Sequence, residues 1–130
     1  MFKISKTKYY NVITFNNPPA NTFNFDILNQ LILQINELEN KKSLLFKAEG
    51  PIFSAGIDLF IANNLNKKDF KLLINKFELL LIKIIDHQAP TFTILNGPAI
   101  AGGFILSTAT DFCYSNSLKY KIGLNKNIIN

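Results

Sequence analysis

The sequence predicts an α/β fold, and three observations lead there. Runs of β-branched and aromatic residues alternate with segments whose apolar residues recur every three or four positions. Two of the apolar runs are followed by small, glycine-containing turns. Composition does not change along the 130 residues, so the chain reads as a single domain over 1–130 without a linker.

The first strand is expected over Tyr9–Phe15, which ends at Asn16-Asn17-Pro18-Pro19, a strong breaker. Asn24 then suits the N-cap of a helix, with Asp26 in the first turn where the helix dipole favours negative charge. Ile27, Leu28, Leu31, Ile32, Ile35 and Leu38 share one face of that helix. Ser43–Lys47 is short and apolar, a buried strand stopped by Glu49-Gly50-Pro51. A second helix covers about Lys68 to Asp86, with Phe70, Leu73, Ile74, Phe77, Leu80, Leu81 and Ile84 on one stripe. After Pro90 comes a strand over Thr91–Leu95. Gly102-Gly103 then opens the apolar segment Phe104–Ala109, and Phe112–Ser115 makes the last strand.

Bulk properties narrow the function classes. The chain is 48% hydrophobic and 18% charged, which fits a globular domain. Its net charge is +5 and all 14 cations are lysine, so no guanidinium fork is present to read guanine edges or clamp phosphates. The lysines are scattered (Lys41 and Lys42, Lys67 and Lys68, Lys119 and Lys121) and form no basic stripe, which argues against nucleic acid. A diffuse positive field suits a polyanionic small molecule. Lys83 interrupts the most apolar stretch, so no membrane span is expected. Lys3, Lys6 and Lys8 precede the first acid, Asp26, but strand residues from Asn11 leave little room for a removable presequence.

Cys113 is the only cysteine; it excludes an internal disulfide, points to a reducing compartment, and reads as a small core residue. His87, the only histidine, sits at a helix end with no nucleophile beside it in the sequence, and no metal site is expected. Asp58 and Asp111 read as residues that cap or hydrogen-bond their loops.

Two segments do not look like ordinary connections: Phe53-Ser54-Ala55-Gly56-Ile57-Asp58-Leu59 and Asn96-Gly97-Pro98-Ala99-Ile100-Ala101-Gly102-Gly103-Phe104. Each follows a buried strand, and small residues let a ligand approach the backbone. A helix starting at Gly102 would turn its free N–H groups toward that ligand. Facing each other, two such turns could hold a developing oxyanion between two backbone donors. Neither carries a phosphate-loop or dinucleotide pattern.

In this order and separation, the two turns resemble the paired signatures of the crotonase (enoyl-CoA hydratase/isomerase) superfamily. Asn17-Pro18-Pro19-Ala20-Asn21-Thr22, Leu38-Glu39-Asn40-Lys41-Lys42-Ser43, Ala101-Gly102-Gly103 and Ile122-Gly123-Leu124-Asn125 are similar to its delta-3, delta-2 enoyl-CoA isomerase branch. The resemblance implies the N-terminal portion of a ββα spiral, lacking the C-terminal helical part that builds homotrimers in the family. It implies an acyl-CoA thioester as substrate, no cofactor, and a mitochondrial or peroxisomal, intracellular setting in β-oxidation. The thioester oxygen would sit between the backbone N–H groups of Ile57 and Gly102. Ser54, Ala55, Gly56, Ile57, Asp58 and Leu59, with Gly103 and Asn125, would contact substrate or CoA.

Departures from the family pattern matter as much. Isomerisation needs one base that returns the proton it takes, and a carboxylate of raised pKa is suited to that. The family's glutamate position is Lys126 here, a residue of the wrong charge for the task. Ile105 stands where hydratases carry a second glutamate, which disfavours water addition. The match is lost at Lys126, four residues before the end, and the expectation is one event: a truncation, a frameshift or a mispredicted exon end. The competing expectation to an enzyme is a catalytically inactive remnant that binds acyl-CoA or joins complete subunits. Either way, an apolar face is expected on the second helix and the Phe104 segment.

Overall fold

The computed structural model describes Met1–Leu124. The strands are β1 (Phe2–Lys6), β2 (Tyr10–Phe15), β3 (Ser43–Ala48), β4 (Thr91–Leu95), β5 (Ala99–Ile100), β6 (Phe112–Ser115) and β7 (Ile122–Gly123). The helices are α1 (Phe25–Glu37), α2 (Leu59–Asn63), α3 (Lys67–Ile85) and α4 (Gly102–Ala109). Five strands form one sheet in the order β1-β2-β3-β4-β6, and β5 pairs with β7 in a second, two-stranded sheet. Only β1–β2 is antiparallel; the other pairings in both sheets are parallel.

Register explains the core. Ile13 lies opposite Phe46, Phe46 opposite Thr93, and Thr93 opposite Cys113, so one row of side chains crosses the sheet. α1 and α3 cover that face, and Leu28, Leu31, Leu44, Phe46, Leu73, Leu80 and Leu95 are buried beneath them. Phe15, Phe23, Phe46 and Phe53 gather at one end, with Phe15 ring centroids 5.5 Å from Phe23, 6.1 Å from Phe46 and 5.5 Å from Phe53. Burial alternates along β3 and β4, so the helices cover one face of the sheet and the other stays open.

Local chemistry fixes the element ends. The Asn24 side chain accepts from Ile27 N–H at 2.9 Å, closing the start of α1 as expected. Asn24→Ala is expected to cost about 1 kcal/mol, read as a lowered urea midpoint at unchanged slope. Asp58 caps α2 by accepting from Phe60 and Ile61 N–H, and Asn66 caps α3 through Asp69 N–H. Asp111 Oδ2 accepts from Thr91 N–H at 2.8 Å while Thr91 Oγ1 accepts from Asp111 N–H at 2.9 Å, a clasp across the starts of β4 and β6. His87, just past α3, bonds through Nε2 to the Lys42 carbonyl at 2.7 Å and so ties α3 to the start of β3.

Three expectations need correction or addition. Cys113 is exposed, not a core residue, because β6 is an edge strand whose four residues are all exposed. Partial desolvation of its sulfur pushes the thiol above its usual pKa, against a lowering hydrogen bond with Ser107, so it remains protonated at neutral pH. β1 lies outside the expected elements, although Phe2 and Ile4 alternate with Lys3 and Ser5. α2 was equally hidden, since five residues are too few to display a helical period. The apolar outer face of α3 is present, with Leu72, Leu79, Ile82 and Ile85 exposed, whereas Phe104 is half-buried.

Candidate functional site

The two glycine turns meet backbone to backbone. Gly56 has φ +85°, a left-handed conformation that side chains disfavour, and a Cβ there would stand 2.5 Å from Gly102 N and 2.9 Å from Gly102 Cα. From the other side, a Cβ on Gly102 would come 3.1 Å from Gly56 Cα and 3.5 Å from Ile57 N. Glycine at both positions is what allows this approach. The contact places Ile57 N next to the start of α4. Among the described residues, neither the Ile57 N–H nor the Gly102 N–H has a hydrogen-bond acceptor.

Each turn is held from outside. Phe23 N–H donates to Gly56 O at 2.8 Å and Asp58 N–H donates to Phe23 O at 3.0 Å, so Ile57 is bracketed by the segment before α1. Phe53 N–H donates to Pro98 O, and Ile100 N–H to Ser54 O, both at 3.0 Å, joining the first turn to the second. Ala101 N–H donates to Gly123 O at 2.8 Å. Ala101 itself has φ +51° and caps α4 without any side-chain hydrogen bond. A non-glycine residue held in that region costs roughly 1–3 kcal/mol, and such strain persists only where the surroundings enforce it.

Of the residues singled out in the sequence, Ser54, Ala55, Gly56, Gly102 and Gly103 are buried, Ile57 and Asp58 are half-buried, and Leu59 is exposed. All eight lie within the two turns and the helix starts they lead into. Asn125 and Lys126 lie outside the described residues. Concavities of about 300 and 310 Å³ lie elsewhere, one on the open sheet face beside Tyr9, Leu45 and Phe92, the other between the ends of α1 and α3 beside His87. Among the described residues no three His, Cys, Asp or Glu side chains converge as metal ligands.

Asn21 is a contributor that residue-type reasoning passed over. It is buried, has φ +46°, and its side chain accepts from Asn17 N–H while donating to Glu49 O and Ile52 O. Its signal was present: asparagine tolerates the left-handed region and stands two residues after Pro18-Pro19. Asn21→Ala removes all three bonds, leaving the half-buried Asn17 N–H and the Glu49 and Ile52 carbonyls to find other partners. The expected loss is about 2–4 kcal/mol, measurable by thermal unfolding.

Residues 7–127 match the enoyl-CoA hydratase/isomerase family. The chain belongs to that family. It is 28% identical over 123 residues to the mitochondrial enoyl-CoA delta isomerase 1 of Rattus norvegicus, covering 91% of this chain and 43% of the rat protein. A probable enoyl-CoA hydratase of Bacillus subtilis (strain 168) is 31% identical over 102 residues, 75% of this chain and 40% of that protein. Among solved structures, Pseudomonas aeruginosa DspI superposes with a TM-score of 0.87 at 25% identity, covering 99% of this chain and 54% of that one. The chain thus spans about half the length, or less, of the proteins it matches, consistent with the N-terminal portion of the crotonase fold.

Proposed function

We propose that the chain supplies the acyl-CoA-binding half of an enoyl-CoA isomerase, with the thioester oxygen held between the N–H groups of Ile57 and Gly102. The observation that supports this reading best is the pair of backbone donors, without an acceptor among the described residues, that Gly56 and Gly102 bring together. Such donors are preorganised for an oxygen that gains negative charge when a proton leaves the neighbouring carbon, and they act without side-chain reorganisation. Gly102 adds the positive end of the eight-residue helix α4. In the isomerase reading the bound acyl group passes from a 3-enoyl to a 2-enoyl double bond through this enolate. Ala55, Gly56, Asp58, Leu59 and Gly103 line the substrate's approach, together with Asn125. A mitochondrial setting follows from the rat relative's name, and acyl-CoA is the one small-molecule partner proposed.

A specific observation favours a second reading. Lys126 occupies the position of the glutamate base, and an ammonium cannot accept the proton that isomerisation moves. In that reading the chain binds acyl-CoA, or associates with complete subunits, without turnover. The two are separated by incubating the chain with 3-hexenoyl-CoA and following 2-enoyl-CoA formation, alone and after Lys126→Glu. Turnover that appears or rises with K126E supports the isomerase scaffold; acyl-CoA binding without turnover in both forms supports the non-catalytic reading. Absence of acyl-CoA binding sinks the isomerase reading and leaves subunit association as the form of the second, to be checked by co-purification with a complete subunit.

A further inference from the structure

The Ser54 hydroxyl has no exposed surface and sits where three segments cross. It donates to Asn21 O at 2.9 Å and accepts from Gly56 N–H at 3.1 Å, so it spans the loop before α1 and the first glycine turn. Its own carbonyl accepts from Ile100 N–H, and that carbonyl also closes against Gly103, where any Cβ would collide with it. One residue therefore touches the chain on both sides of the Gly56–Gly102 contact. The hydroxyl's one proton is spent internally and the residue has no exposed surface, so its two bonds face the protein.

We infer that Ser54 is a positioning residue: its hydroxyl fixes the gap between the Ile57 and Gly102 N–H groups by pinning Gly56 to Asn21. The inference rests on the proposal that those two groups receive the thioester oxygen. The physical argument is one of lever length. Gly56 is adjacent to Ile57 and in its left-handed conformation has no side chain to restrain it; Phe23 N–H holds the peptide that carries the Ile57 N–H, through Gly56 O, and Ser54 Oγ holds the peptide before it, through Gly56 N–H. Removing the hydroxyl frees the Ala55–Gly56 peptide, so Gly56 keeps its Phe23 bond but loses the second hold that fixes where its Cα, and with it the Ile57 N–H, stands. Hydrogen-bond strength falls steeply with misdirection, so a donor can fail at its task while the fold around it stands.

The test reads the carbonyl itself. Octanoyl-CoA labelled with ¹³C at the thioester carbon is bound to the full chain, and the infrared C=O stretch is compared with that in solution. Binding to the wild type is expected to lower the frequency, because two N–H donors draw charge onto the oxygen. Ser54→Ala is expected to return a measurable part of that shift while the Kd for free CoA, which has no thioester, stays within about threefold. Ser54→Cys keeps a weaker, longer-reaching acceptor at the same place and should give an intermediate shift; it also serves as the deciding variant should S54A fail to fold. A full wild-type shift in the folded variant would overturn the inference. No shift in the wild type would instead reject the oxyanion reading on which it stands, so the two failures are distinguishable.

Discussion

Gly56→Ala is expected to abolish measurable polarisation of a bound thioester and to destabilise the chain by several kcal/mol. Two causes add. The backbone at φ +85° is unfavourable for any residue with a Cβ, at roughly 1–2 kcal/mol. The new methyl would also stand 2.5 Å from Gly102 N and 2.9 Å from Gly102 Cα, and backbone atoms at a helix start cannot swing aside as a flexible side chain can. The turns must separate, and separation opens the gap between Ile57 and Gly102. A shift of about 1 Å in such a site costs on the order of 100-fold in rate or more. Thermal unfolding and the carbonyl frequency report the two consequences separately. An alanine variant with wild-type stability and an unchanged frequency would show that the close approach is not required.

Phe15→Ala is expected to have the largest effect on folding, about 3–5 kcal/mol. Its ring is 2% exposed and packs against three other buried phenylalanines, so its loss leaves a cavity that the surrounding rings cannot fill without leaving their own partners. Domains of this size hold only about 5–15 kcal/mol in reserve. The urea midpoint should fall steeply, and the melting temperature by roughly 10–20 °C. A drop under about 1 kcal/mol would mean that the aromatic cluster is loosely packed. Because Phe23 and Phe53 flank the first turn, the same variant should weaken acyl-CoA binding even where it remains folded.

Much of this arrangement was legible in the residues. The spacing of Ile27 to Leu38, the Asn24 cap and the strand Thr91–Leu95 all appear where sequence pattern puts them, because each is written in contiguous residues. The two glycine turns were recognisable as unusual for the same reason. What pattern alone does not reveal is contact between distant segments. Nothing local to Ser54 announces that its hydroxyl reaches Asn21, 33 positions away, and nothing local to Cys113 states that its strand lies at an edge. β1 escaped notice because Lys3, Ser5 and Lys6 dilute its apolar alternation. The short β5 and β7 pair only two residues each, too few for any periodic signal.

The Thr91–Asp111 clasp also bears on the order in which the chain assembles. It ties residues 20 apart, and the second glycine turn lies inside the loop that it closes. The first turn is secured by a bond of span 33, between Ser54 and Asn21. Loop-closure entropy grows only with the logarithm of length, so the two closures differ by about 0.4 kcal/mol. Neither loop is thus much cheaper to form than the other, and neither turn gains its partner until parallel strands have been brought together across a helical crossover. Parallel pairing of this kind is intrinsically slow. The juxtaposition of Gly56 and Gly102 is therefore expected late in folding, once both loops are shut, and chains caught earlier would carry the two turns apart.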